Sequence, residues 1–146
     1  MRIAMGSDHA GFELKKHLAQ KLRSEGYDII DVGTHSTESC DYPIFGEAAA
    51  RKVATGEADR AIVICGTGQG IGISANKVAG VRCAIVSEAF SARLSRLHNN
   101  ANALALGARV IGTDVAEDIV DTWLHTEFLG GRHARRVNEI MEIKPE

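Results

Sequence analysis

A cysteine followed at once by a glycine-rich segment is the feature of this chain best suited to chemistry. Cys65 ends the apolar run 61–65, and glycines occupy every second position from Gly66 to Gly72. A glycine-rich turn lets backbone N–H groups converge on an anion, and a helix entered through Ile73 would add partial positive charge where the Cys65 thiol ionises. The pattern predicts proton transfer by a thiolate beside a bound oxyanion.

Known glycine motifs do not account for this segment. A P-loop needs Lys and Ser or Thr directly after a glycine, but Ile73 follows Gly72 and Lys77 comes too late. The dinucleotide fingerprint fails because Ile71 stands where its last glycine belongs, although Glu88 lies at the distance where that motif places an acidic residue. A nucleotide-binding module therefore stays open as an alternative.

Further polar residues follow predicted strands or end a predicted helix. Asp8 and His9 come directly after the first strand, and Arg109 comes shortly after the fifth. Parallel sheets bind ligands outside such carboxyl ends, so these side chains are candidates for a site. His98 and Asn99 end a predicted helix. Taken alone, Asp8 is equally consistent with a helix N-cap and His98 with a helix C-terminus.

Three arginines open the last predicted helix. Arg132, Arg135 and Arg136 lie in its first two turns, where the helix dipole disfavours cations. A solvated basic face explains them poorly. Because guanidinium groups and first-turn N–H groups both bind phosphate well, the arrangement predicts an anion at this helix start.

Short apolar runs alternate with longer amphipathic runs, which is typical of a parallel α/β fold. Strands are predicted at 2–7, 28–32, 61–65, 81–86 and 103–106. Helices are predicted at about 14–22, 43–56, 73–80, 88–98, 116–124 and 132–141, with Asp114 as a cap of the fifth. We expect a single Rossmann-like domain over residues 1–146, with a five-stranded parallel sheet flanked by helices.

Composition argues against several classes of protein. Seventeen basic and 19 acidic residues give a net charge of −2, so neither nucleic-acid nor membrane-surface binding is expected. Cys40, Cys65 and Cys83 are odd in number and lack metal-binding spacing, which favours reduced thiols over a disulfide framework or a zinc site. No segment approaches the roughly 20 apolar residues of a membrane helix. We therefore expect a cytoplasmic protein.

Six separated motifs follow one another along the chain. They are Asp8-His9, Asp41-Tyr42-Pro43, Cys65-Gly-Thr-Gly-x-Gly, Ala75-Asn76-Lys77, His98-Asn99, and Gly130-Gly-Arg132-His133 with Arg136. Together they resemble the ribose-5-phosphate isomerase B family, which also contains the galactose-6-phosphate isomerases. The resemblance implies an isomerase of aldose and ketose phosphates, first of all ribose 5-phosphate and ribulose 5-phosphate. It implies no metal or cofactor, and a homodimer or homotetramer with active sites between subunits.

The resemblance also implies roles for individual residues. Cys65 moves the carbon-bound proton, Thr67 shuttles the hydroxyl proton, and His98, with Asp8 nearby, opens the furanose ring. The enediolate oxygens are bound by backbone amides of Gly66, Thr67, Gly68, Gln69 and Gly70. The sugar and its phosphate are contacted by His9, Tyr42, Asn99, Arg109, Arg132 and Arg136. Some of these come from the partner chain, toward which the C-terminal helix is expected to reach.

The chain departs from the family pattern at Gly72, where members often carry serine, without losing an assigned group. Ile71 stands where a second branch carries glutamate, and Cys65 is present, so we expect the cysteine type. The preferred sugar stays open among ribose, allose and galactose phosphates. A sugar-phosphate sensor without catalysis is a further alternative, against which Cys65 argues.

Overall fold

The structure is a computed structural model that describes residues 1–145. Within that range the five strands are β1 (Arg2–Ser7), β2 (Asp28–Gly33), β3 (Arg60–Cys65), β4 (Cys83–Ile85) and β5 (Ala103–Gly107). The six helices are α1 (Phe12–Ser24), α2 (Tyr42–Ala54), α3 (Gln69–Asn76), α4 (Ala89–Asn99), α5 (Thr113–Leu124) and α6 (Arg132–Glu142). The predicted α/β class and the five-stranded sheet are confirmed.

All strand pairs are parallel, and the strand order is β2-β1-β3-β5-β4. In the central strand β3, Cys65 is level with Gly107 of β5, and Ile64 is level with Ser7 of β1. The direction of strand addition reverses between β1 and β3. Open α/β sheets bind ligands outside the carboxyl ends of the strands at such a point, so Cys65 ends the central strand where a ligand is expected.

The two faces of the sheet carry side chains of different size. On one face Ile3, Ile62 and Leu104 pack with α1, α4 and α5. Trp123 of α5 is fully buried there. The other face presents small side chains to α2 and α3, namely Ala4, Ala61, Val63, Cys65, Ala103 and Ala105. Because side chains alternate between faces along a strand, Cys65 points into the layer formed by α2 and α3.

The predicted limits of the glycine-rich helix are wrong. Helix α3 begins at Gln69 rather than beyond Gly72, and it ends at Asn76 rather than Gly80. Gly70 and Gly72 are therefore helical, and their small size serves packing. A Cβ on Gly72 would lie 2.5 Å from Cγ1 of Ile85 in β4. These glycines let α3 approach its neighbours instead of forming a loop.

Two further expectations are corrected. Strand β4 covers Cys83–Ile85 and not 81–86. At its start the Arg82 N–H donates to the side-chain Oδ1 of Asn102 (2.7 Å) instead of to a backbone carbonyl of β5. Asp114 does not cap α5, whose N-cap is Gly112 without a side-chain cap bond. Asp114 instead lies in the first turn, where a carboxylate interacts favourably with the helix dipole.

Helix α6 packs mainly on α4, at one side of the domain. Among its side chains, His133 and Val137 are buried. Across residues 1–145 no helix combines the length and apolar character needed to cross a bilayer. The same residues hold no cluster of three or more His, Cys, Asp or Glu side chains arranged to bind a metal ion.

Candidate active site

The Cys65 thiol lies at the start of the tight turn into α3. Its Sγ accepts a hydrogen bond from the Gly68 N–H at 3.2 Å, and the residue is 4% exposed. Gly68 has φ +81°, and a Cβ there would lie 2.9 Å from the carbonyl carbon of Leu106. Glycine alone suits both that backbone and that space. The thiolate is the form of cysteine that accepts a proton, and the Gly68 N–H faces it directly.

The first turn of α3 offers one open backbone donor. The Gln69 N–H donates to Thr67 Oγ1 at 3.3 Å, while the N–H groups of Gly70 and Ile71 have no partner within residues 1–145. Ile71 is fully buried, whereas Gly70 is partly exposed. First-turn N–H groups carry the partial positive charge of the helix. The Gly70 N–H is therefore free to bind an anionic oxygen beside the exposed Thr67 side chain.

Two glycines leave room for side chains that border this turn. A Cβ on Gly66 would lie 3.3 Å from Arg109 Nη1, and one on Gly70 would overlap the Tyr42 ring. The Arg109 N–H also donates to the Gly66 carbonyl at 2.9 Å. A guanidinium group and a phenol therefore lie against the turn that follows Cys65.

Asp8 and His9 follow the neighbouring strand β1. The Asp8 N–H donates to the Ile64 carbonyl at 3.2 Å, and Asp8 Oδ1 accepts the Gly11 N–H at 3.0 Å, which closes the turn before α1. His9 Nδ1 accepts the Cys40 N–H at 3.2 Å. Since Nδ1 is occupied as an acceptor, the neutral His9 ring carries its proton on Nε2, which is left to donate to a ligand.

A buried lysine, whose role is not expected from the sequence, supports this part of the site. Lys15 is 1% exposed, and its Nζ donates to Asp31 Oδ1 (2.5 Å) and the Thr34 carbonyl (2.7 Å). Thr34 is the first residue of the loop that follows β2, and Cys40 in the same loop donates its N–H to His9. The sequence does hold one indication of this role. Lys15 comes three residues before Leu18, which puts a cation on the apolar side of α1.

Ten of the predicted site residues lie at the carboxyl ends of the strands, and we call these ten the carboxyl-end group. Its members among the predicted site residues are Asp8, His9, Tyr42, Cys65, Gly66, Thr67, Gly68, Gln69, Gly70 and Arg109. The structure thus brings ten predicted site residues to one edge of the sheet.

The other four predicted residues lie at the opposite edge, and we call them the amino-end group: His98, Asn99, Arg132 and Arg136. Helix α4 runs back from the carboxyl edge for 11 residues, which is about 16 Å. Its end reaches the start of β4, where Arg82 Nε donates to the Asn99 carbonyl at 3.0 Å. Within one chain His98 is therefore far from both Cys65 and Asp8, so the expected proximity of Asp8 to His98 requires a second chain and stays a prediction.

Contacts between the end of α4 and the segment before α6 build the amino-end group. Arg96 Nε donates to the Thr126 carbonyl at 3.1 Å, and its Nη1 donates to the Ala101 carbonyl at 2.7 Å. The Leu129 N–H donates to the Leu97 carbonyl at 3.1 Å. These bonds hold His98 close to the start of α6, which carries Arg132 and Arg136.

Positive charge accumulates around this group. Arg60, Arg82 and Arg96 donate to carbonyls, an amide oxygen and a thioether, and none forms an ion pair with a carboxylate in the described part of the chain. Burial, with Arg60 and Arg82 nearby, lowers the pKa of Arg96 to about 10. Arg132 and Arg136 likewise have no ion pair within residues 1–145. Uncompensated cations of this kind favour an anionic ligand.

His133 lies beside the amino-end group, although no role for it is expected from the sequence. Its ring stacks on that of His98, with centroids 4.2 Å apart and planes 11° from parallel. Burial lowers the pKa of His133, and His98, Arg132 and Arg136 lower it further. The sequence offered one indication of a role for His133, namely its position next to Arg132 in the last motif.

Comparison with known proteins shows extensive similarity. The family model described as ribose/galactose isomerase matches residues 3–140. Ribose-5-phosphate isomerase B of Escherichia coli is 50% identical over 143 residues, covering 98% of this chain and 96% of the relative. D-Erythrulose-4-phosphate isomerase 2 of Mycolicibacterium smegmatis is 42% identical, with 96% and 95% coverage. The Clostridium thermocellum ribose-5-phosphate isomerase B structure matches with a TM-score of 0.96 and 58% identity, covering 97% of this chain and 96% of that one.

Proposed function

The chain belongs to the ribose/galactose isomerase family, and we propose that it interconverts ribose 5-phosphate and ribulose 5-phosphate through an enediolate. It is an aldose–ketose isomerase. The observation that carries the proposal is the Cys65 thiol at the end of the central strand, with the Gly68 N–H directed at its sulfur. This arrangement joins a base and anion-binding amides at one point.

Cys65 acts as the base in the proposed reaction. Its thiolate takes the proton from C2 of the open-chain aldose, the C–H electrons form the C1=C2 double bond, and O1 becomes negative. Thr67 Oγ1 passes the O2 hydroxyl proton to O1. The Cys65 thiol then returns its proton to C1, which gives the ketose with a carbonyl at C2.

The enediolate must be stabilised as it forms. The resemblance assigns this to backbone amides from Gly66 to Gly70, and the Gly70 N–H, which has no partner within residues 1–145, is the donor that we assign to O1. Preoriented donors need no rearrangement when the charge appears, and losing one typically raises the barrier by about 3 kcal/mol. The exposed Gln69 side chain borders the same space.

Ring opening is a separate step that we assign to His98. One nitrogen of its neutral imidazole takes the O1 hydroxyl proton of the furanose, the other nitrogen gives its N–H proton to the ring oxygen O4, and the C1–O4 bond breaks. Histidine suits this exchange because its ordinary pKa lies near neutrality. His98 lies about one helix length from Cys65 in its own chain, so His98 and Asp8 meet at one substrate only if two chains contribute.

The substrate phosphate is bound by hydrogen-bond donors from both groups in this proposal. His9 donates from Nε2, Arg109 approaches from the turn after Cys65, and Arg132 and Arg136 approach from the amino-end group of a second chain. Guanidinium groups match phosphate geometry. Tyr42 and Asn99, which contact the sugar in this proposal, are both exposed.

We therefore propose a homo-oligomer with active sites between subunits, in which α6 reaches toward the partner. The separation of the two residue groups within one chain supports this, because each group alone lacks part of the machinery. Apolar side chains exposed near the end of α6, Ile140 at 44% and Met141 at 40%, offer contact surface. We also propose that the protein works in the cytoplasm as one domain, where its three thiols stay reduced.

An isomerase assay tests the proposed function. Wild type is expected to convert ribose 5-phosphate with a chelator present, and faster than allose 6-phosphate, galactose 6-phosphate or erythrulose 4-phosphate. Cys65→Ala should abolish conversion while phosphate binding and the melting temperature stay nearly unchanged. Cys83→Ala is the matched control, since Cys83 lies on the edge strand β4 and should leave activity intact. Near wild-type turnover by Cys65→Ala would remove Cys65 as the base.

A further inference from the structure

In the described part of the chain, no hydrogen bond orients the His98 imidazole ring. Within residues 1–145 the ring hydrogen bonds of histidines are those of His9, His17 and His125. Functional histidines are commonly oriented by a bond from one ring nitrogen to a carbonyl or carboxylate. The χ2 torsion of histidine is broad, so an unbonded ring has little intrinsic preference for one plane. Another contact must fix the plane of His98.

That contact is the face of the His133 ring. The two centroids are 4.2 Å apart and the planes differ by 11°, which is a parallel stack. His133 is 8% exposed and lies with Val137 on the buried face of α6, against α4. Neither His133 nitrogen has a hydrogen-bond partner in the described part of the chain. Its interaction with His98 is therefore through the ring face.

We propose that His133 is a positioning residue, which holds the plane of the His98 ring by stacking and leaves both His98 nitrogens free for the sugar. This rests on the proposed function, because it takes His98 as the group that opens the ring. A proton must leave O1 and another must reach O4, so the ring plane has to contain the direction of the hydrogen bond. A misplaced acid–base group can greatly lower the rate of such a step.

The surroundings of His133 make it a poor acid–base group in its own right. It lies among the cations Arg132 and Arg136, and burial holds its pKa below the ordinary range. Because its pKa is lowered, His133 stays neutral while protons move at the neighbouring His98 ring. His133 therefore supplies a flat, neutral surface.

Replacing His133 tests which property of the ring matters. His133→Phe keeps a flat ring and removes both nitrogens, whereas His133→Ala removes the ring. With ribose 5-phosphate, His133→Ala should lower kcat about tenfold and His133→Phe less than threefold. With ribulose 5-phosphate, which has no furanose to open, both variants should be near wild type. Equal losses in the Phe and Ala variants would show that a His133 nitrogen is required, and would overturn the proposal.

A double-mutant cycle separates positioning from a structural role. In a His98→Asn background, His133→Ala should have no further effect on ribose 5-phosphate turnover, because its effect passes through His98. A further tenfold loss there would contradict the proposal. The melting temperature of each variant, measured in parallel, reports any loss of packing between α6 and α4.

A readout that needs no turnover keeps this inference distinct from the proposed function. In NMR spectra of the full-length protein, His98 ring protons lie over the His133 face and are shielded by its ring current. His133→Ala should move these resonances downfield, and His133→Phe should keep them upfield. Unchanged His98 resonances in His133→Ala would refute the stack even if the chain is an isomerase. The expected shifts in a chain that isomerises none of the sugars would refute the proposed function alone.

Discussion

Mixing two inactive variants should restore activity, because each chain carries two separate halves of a site. Cys65→Ala damages the carboxyl-end group and Arg136→Ala damages the amino-end group. These groups lie at opposite edges of the sheet, separated by about the 16 Å length of the 11-residue helix α4. If one site takes its carboxyl-end group from one chain and its amino-end group from the other, a hybrid dimer holds one intact site and one doubly damaged site.

The expected activity follows from random pairing. About half of the dimers are hybrids, and half of the sites in each hybrid are intact, so recovery should be about a quarter of wild type. The assay is ribose 5-phosphate turnover after the two variants are unfolded together and refolded, with hybrid content measured by mass spectrometry. Equal amounts of the separately refolded variants give the baseline.

A matched mixture supplies the control. Cys65→Ala with Arg109→Ala damages the same edge in both chains, since Arg109 lies against Gly66. Every site in that hybrid contains one damaged carboxyl-end group, so no recovery is expected. Hybrids of Cys65→Ala and Arg136→Ala that show no activity would place both residues in one site of one chain, and would refute the reasoning.

Four further outcomes are expected. His98→Asn should reduce initial rates with ribose 5-phosphate far more than with ribulose 5-phosphate, and equal losses in both directions would assign His98 to binding or structure. Gly70→Ala should displace the Tyr42 ring and slow isomerisation about 100-fold, whereas Gly112→Ala, with open space around its Cβ, should be neutral in the same assay. Lys15→Met leaves Asp31 and the Thr34 carbonyl without their cation, so urea unfolding should show a loss of about 3 kcal/mol, while Lys52→Met at the exposed pair with Glu57 should change little. The lowered pKa of His133, caused first by burial and then by His98, Arg132 and Arg136, means that the unfolded chain gains a proton there first as pH falls below about 6.5. Stability should therefore decline toward pH 5 more steeply in wild type than in His133→Phe, and parallel curves in urea titrations would contradict this sign.

The carboxyl-end group could be predicted because its residues follow strands that are clear in the sequence. Continuous apolar runs identify β1 and β3, and the polar residues directly after them, Asp8 and Cys65, must then lie at one edge. The start of α3 could not be predicted in the same way. Gly70 and Gly72 are required by the nearness of Tyr42 and Ile85, and a pattern of glycines is the same whether it serves a loop or close packing.

Lys15 and His133 were missed because long-range contacts give them their roles. Lys15 meets Asp31 from β2, and His133 meets His98 from a helix that ends more than thirty residues earlier. The local sequence around each residue shows its type, but it does not show which distant residue it will contact in the fold. The position of His98 relative to Cys65 depends on topology, since a helix that leaves the carboxyl edge must return to the amino edge before the next parallel strand.

The short glycine-containing helix α3 has a consequence for local motion. Gly70 and Gly72 each disfavour helix by about 1 kcal/mol relative to alanine, so this eight-residue helix depends on tertiary packing for its stability. Its first turn should open more readily than α1. The Gly70 amide, which has no partner among residues 1–145, should exchange its hydrogen with solvent quickly. An anionic oxygen bound there would slow that exchange. Hydrogen exchange at Gly70 would thus report occupancy of the site by an unreactive sugar phosphate, independently of catalysis.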